Sequence, residues 1–195
     1  MEDRKIRRGC CTIKEYDIRL SNNKISLGIR QDDLIFHKGN EKNYIKLLAS
    51  DLNKLFHLED LLTEESYCIA YDDCYSPIGI MQMAHGNEDT SPGAPFYAIL
   101  FLKLLRAKYY VMVHNHPKII GMKSNEFSPA DEVVRLKTEM IGENCGMEML
   151  ANIIIYKDGY KVWTEDSMNT EGKLRFLVEL AKVNYQTLME GGGDE

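Results

Sequence analysis

Five apolar residues, Tyr109-Tyr110-Val111-Met112-Val113, run without a polar break into His114-Asn115-His116-Pro117. A strand with one wet face alternates apolar and polar residues. An unbroken apolar run belongs to a central strand covered on both faces. A chain built around such a strand needs helices above and below its sheet. Side chains alternate along an extended chain, so His114 and His116 project the same way from the strand end. Ser128-Pro129-Ala130-Asp131 follows, with Ser128 placed to N-cap a helix, Pro129 at its first position and Asp131 in its first turn. Two imidazoles and a returning carboxylate suit zinc and other borderline divalent metals. Three protein ligands leave a fourth position for water, which marks catalytic rather than structural zinc.

The rest of the chain supplies the layers. Ile45, Leu48, Leu52, Leu55 and Phe56 recur at helical spacing and predict a helix over 43–62, which Thr63-Glu64-Glu65 ends. Strands are predicted over 67–72 and 78–84, and a strongly apolar helix over 95–107, buried between the sheet and another layer. A helix from 129 to about 142, strands over 147–156 and 160–164, and a last amphipathic helix over 171–189 complete the order. This alternation predicts an α/β domain with a mixed sheet and helices on both faces. Residues 1–42 are polar and mixed, with short strands over 11–19 and 25–29, and read as an N-terminal extension packed on the domain. The domain itself spans 43–190, and Gly191-Gly192-Gly193-Asp194-Glu195 is a flexible tail.

Composition narrows the partners. The net charge of -6 and pI near 5.5 give no support to nucleic-acid association through a broad basic face, although Arg4, Lys5, Arg7 and Arg8 form a local basic run. The five cysteines are odd in number and form no CxxC pair. With a charged start in place of a signal peptide, they read as reduced thiols of a cytoplasmic protein. The apolar stretches are far shorter than the roughly 20 residues that span a bilayer, so no membrane role is expected.

Water activated at such a centre also needs a base to take its proton and pass it to the leaving group. Glu64 or Glu65 can supply it, because both sit where the first helix feeds the first strand. Ser128 can donate a hydrogen bond to a developing oxyanion as well as cap its helix. His37, His57 and His85 have no matching spacing and read as structural or surface residues, and Asn115 as a turn residue.

At these residues the chain resembles the JAMM/MPN+ (JAB domain) metallohydrolase family in its RadC-like form. The pattern is His-x-His-Pro, then Ser-x-x-Asp, preceded by a glutamate at a helix–strand junction. The resemblance runs from about residue 45 to 165 and takes in Gly79, His85-Gly86, Pro95 and Asp158-Gly159. It implies a three-layer cytidine-deaminase-like (JAB/MPN) α/β fold with a mixed β-sheet flanked by helices. It further implies one Zn2+ held by His114, His116 and Asp131, with Glu64 and Ser128 as catalytic residues. Counting back from Asp72 favours Glu64 over Glu65. The implied activity is hydrolysis of a peptide or isopeptide bond in a protein or peptide substrate. The alternative is a non-catalytic metal-binding or scaffold protein associated with DNA repair or mobile-element biology. The chain departs from the pattern at Lys118-Ile119, in a longer loop from Pro117 to Phe127, at Ala151-Asn152 and at Gln82. Those changes bear on substrate geometry rather than on the ligands.

Overall fold

The computed structural model describes residues 10–37, 44–86, 94–117, 125–157 and 159–163. The helix expected over 171–189, the tail, the basic run at 4–8 and part of the loop after Pro117 lie outside those residues. Contacts group Met1–Val162 in one unit and Trp163–Glu195 in another. Every candidate site residue belongs to the first.

The chain opens with an antiparallel hairpin of β1 (Cys10–Ser21) and β2 (Lys24–His37). Asn22 and Asn23 close it at φ of 50° and 58°, the paired left-handed conformations that let a two-residue turn follow strand twist. Both strands are longer than the sequence suggests. Most of β2 is exposed, so ladder pairing rather than an apolar stripe holds it, and its alternation is faint.

Helix α1 (Tyr44–Phe56) buries Leu48 and Leu52 as its spacing demands. It stops short of the expected 62 because His57 turns left-handed at φ 53° and ψ 38°. Asn53 locks the exit by accepting the Glu59 N–H on its Oδ1 at 2.9 Å, within a single 3-10 turn, Leu58–Asp60. Glu64 therefore opens a strand rather than ending a helix. The remaining elements among the described residues are β3 (Glu64–Tyr71), β4 (Pro77–Gly86), α2 (Ala94–Leu105), β5 (Tyr109–Asn115), α3 (Pro129–Asn144), β6 (Glu148–Tyr156) and β7 (Gly159–Trp163).

Seven strands form one sheet in the order β2-β1-β4-β3-β5-β6-β7. β3 runs antiparallel to β4 and β5, while β5 with β6 and β1 with β4 run parallel, so the sheet is mixed. Its two faces carry separate cores. Tyr67, Ile69, Val111 and Val113 pack with α1, whereas Cys68, Ala70, Tyr110 and Met112 pack with α2. Burial on both faces explains the unbroken run in β5. Val111 and Val113 are 0% exposed, and each such side chain contributes about 1.5–3 kcal/mol. Helix α3 is fixed against β5 by Tyr110, whose hydroxyl donates to Thr138 O at 3.1 Å. Gly142 leaves room for that ring, since a Cβ there would stand 2.6 Å from Tyr110 Oη. Among the described residues no helix is long and apolar enough to cross a membrane.

Candidate metal centre

The alternation of β3 and β5 decides which groups meet. Tyr67 and Val113 face α1, and Cys68 and Met112 face the other way. By the same alternation Glu64 and His114 project to the α2 and α3 side, and Glu65 and Asn115 to the α1 side. β3 and β5 are neighbours with Ser66 opposite His114, so the start of one and the end of the other share a rim of the sheet.

Asp131 reaches this rim from α3. Ser128 caps that helix at φ -75° and ψ 162°, with Pro129 in its first turn. The Asp131 N–H donates to Ser128 Oγ at 3.1 Å, and Ser128 N–H donates to Asp131 Oδ2 at 2.6 Å. This reciprocal capping box satisfies two end groups of the helix and fixes the carboxylate's direction.

Glu64, His114, His116 and Asp131 each offer an atom, and those atoms lie within 4.8 Å of one another. His114 Nε2 is 3.0 Å from His116 Nε2. Asp131 Oδ1 stands 3.2 Å from His114 Nε2, and its Oδ2 stands 3.2 Å from His116 Nε2. Each Nε2 carries at most one proton, yet each faces both the other imidazole and the carboxylate. A shared cation resolves that crowding. Ligand atoms about 2.0–2.1 Å from a tetrahedral zinc lie about 3.3 Å apart, close to the three separations here. The donor set therefore fits a zinc-sized ion.

The electrostatics agree. Burial alone would raise the Asp131 pKa. Hydrogen bonds from His114 and His116, the charge of His114 and the Ser128 N–H outweigh it, and hold the carboxyl well below the usual range. Asp131 is thus ionised, as a ligand must be. The three side chains are nearly enclosed, at 8% exposure for His114 and 11% for His116 and Asp131. Phe127 lies beside His114, ring centres 6.2 Å apart.

Glu65 goes elsewhere. Its Oε2 accepts from Tyr67 Oη at 2.7 Å and Gln82 Nε2 at 3.1 Å, and its Oε1 meets His85 Nδ1 at 2.8 Å. Arg30 extends this network, donating to Gln82 Oε1 at 2.6 Å and pairing with Glu15 at 3.3 Å. Of the two glutamates, only Glu64 joins the imidazoles and Asp131 in the group that could hold an ion. The other histidines have structural settings: His37 bridges to Asp51, His57 ends α1 and His85 meets Glu65. A second acidic group, Asp72, Asp73 and Cys74, belongs to a turn in which Asp72 Oδ1 accepts the Cys74 and Ser76 N–H groups.

Asn115 is the residue that sequence reasoning missed. It is not a turn residue: it ends β5 at 0% exposure, with its side chain bonded to the backbone on both sides of Glu64. A signal existed, since an asparagine flanked by two same-facing histidines must point to the opposite, buried face.

A mixed sheet in an α/β fold, with this four-residue group on its rim, fits a JAMM-like metal site. The chain belongs to the RadC-like JAB domain family, whose family model matches residues 40–168, more than half of its length. No curated protein compared with the chain matches it.

Proposed function

We propose that the chain is a zinc-dependent hydrolase of the JAMM type that cleaves a peptide or isopeptide bond in a protein or peptide substrate. The observation that carries this reading is the Glu64 carboxylate beside two imidazoles and an ionised aspartate. His114, His116 and Asp131 would hold the ion, already at ligand-to-ligand spacing. When bound, zinc supplies a Lewis acid that polarises a carbonyl and activates water near neutral pH. Glu64 takes the proton of the attacking water and delivers it to the departing amine. Ser128 Oγ already accepts the Asp131 N–H, which leaves its hydroxyl proton to donate toward a carbonyl oxygen as charge develops. The closed surroundings of the three ligands keep bulk water from competing. The hydrolase centre lies within the unit Met1–Val162, and the protein works in the cytoplasm.

The test is elemental analysis and turnover together. Purified wild type should carry stoichiometric zinc and His116→Ala should not. Glu64→Gln should keep its zinc and lose hydrolysis on a panel of ubiquitin-like conjugates, peptides and nucleic-acid-linked peptides. Wild type without metal overturns the centre. A second reading, a metal-binding scaffold, is favoured by Lys118-Ile119 following the histidine motif. It gains if Glu64→Gln keeps both its metal and the wild-type phenotype.

A further inference from the structure

We propose that Asn115 is a positioning residue that sets the Glu64 carboxylate against the metal ligands. The proposal rests on the hydrolase reading for its catalytic consequence, but its structural content stands apart from it. β3 and β5 keep register up to Ser66 opposite His114. Beyond that pair β5 stays with β6, and His116 N–H donates to Ile155 O at 2.9 Å. Thr63 and Glu65 thus lose a backbone partner where Glu64 must be held.

The Asn115 carboxamide fills that place. Its Nδ2 donates to Thr63 O at 3.0 Å, and its Oδ1 accepts the Glu65 N–H at 2.7 Å. The amide's orientation is fixed by its partners, since a backbone N–H only donates and a carbonyl only accepts. One side chain therefore grips the main chain on each side of Glu64 with the two bonds a neighbouring strand would have made. From the far side, Glu65 is held by Tyr67, Gln82 and His85, so the backbone that carries Glu64 cannot rotate freely. Asn115 also sits between His114 and His116 in sequence. Displacement of β5 would move ligands and base together, so their relative geometry is carried by one residue. Misplacing a reacting group by about 1 Å can reduce rate about 10²-fold.

The experiment compares full-length, zinc-loaded wild type, Asn115→Ala and Asn115→Asp. Asn115→Asp keeps an acceptor for Glu65 N–H but sets a carboxylate oxygen against Thr63 O, and covers the case in which the alanine variant does not fold. Three quantities are read: amide exchange of Glu65 by NMR, the order parameter of the Glu64 side chain, and zinc affinity by chelator competition. In Asn115→Ala, Glu65 exchange should accelerate and Glu64 should lose order, with zinc affinity within about threefold of wild type because no ligand loses a partner. Asn115→Asp should leave Glu65 protected while Glu64 loosens. Where a substrate is in hand, kcat should fall about 10²-fold with KM unchanged. Unchanged Glu64 order in both variants overturns the proposal. So does a loss of zinc affinity that parallels the loss of order, which would make Asn115 a support of the ligands instead. A wild type that hydrolyses nothing defeats the hydrolase reading alone, since exchange, order and affinity still decide the role of Asn115.

Discussion

The two faces of the β3–β5 rim carry nearly the same chemistry and use it in opposite ways. On the α1 face, Glu65, Gln82, Tyr67, His85 and Arg30 donate to and accept from one another. On the α3 face, two imidazole nitrogens stand 3.0 Å apart with a carboxylate against both. The first arrangement satisfies its own members, which is what buried polar groups need for stability. The second brings two imidazole nitrogens and a carboxylate to a point, an arrangement that a shared cation would complete. Side-chain types alone do not separate a structural network from a site. Whether donors and acceptors balance does.

The largest effect should come from His116→Ala, which removes one of the converging nitrogens. Zinc affinity should fall by more than about 100-fold, beyond what losing an outer partner does, and turnover should go with it. Wild-type affinity in that variant would break the distinction between the faces. Glu64→Gln against Glu65→Gln tests it more finely. The first should lower kcat about 10²–10⁴-fold with zinc retained. The second should instead cost about 1 kcal/mol of stability, seen as a lower denaturant midpoint at constant m-value, with a far smaller change in kcat. An exchange of the two outcomes would reverse the assignment.

Ser128→Ala should cost about 0.5–2 kcal/mol through the lost cap, read as a lower Tm. A fall in kcat of about 10²-fold at constant KM would add the donor role. A Tm change alone would leave Ser128 as a cap. The smallest effect concerns acid unfolding of metal-free protein. The Asp131 carboxyl is depressed below its unfolded value, so its contribution is fully present above about pH 4 and fades as pH falls toward the depressed value. Asp131→Asn should flatten that part of the stability–pH curve. A curve as steep as wild type would show that another carboxyl is responsible.

Much of this was legible where one physical demand fixed the residue. The covered strand at 109–113, the Ser128 cap with Pro129, and the same-facing histidines each follow from local geometry and are present as expected. What was not legible depended on partners remote in sequence. β2 shows little stripe because it is an exposed edge held by β1. The end of α1 is set by one left-handed residue, His57, a conformation its side chain does not announce. Glu64 and Glu65 are the same residue type at adjacent places, so no local rule separates them. The buried role of Asn115 required knowing that β5 leaves β3 after His114.

The adjacency of Glu64 and Glu65 has a consequence for anyone who would transplant this centre. Slide β3 by one place and a glutamate still sits at the rim, so the residue inventory looks intact. The pleat, however, now aims the other carboxylate at the imidazoles, and Glu65 leaves the network of Tyr67, Gln82 and His85. Grafting the four side chains onto a new sheet would therefore fail without the phase of the strand, which in this molecule is set by the pairing of β3 with β4 and β5 and extended to its first residues by the carboxamide of Asn115.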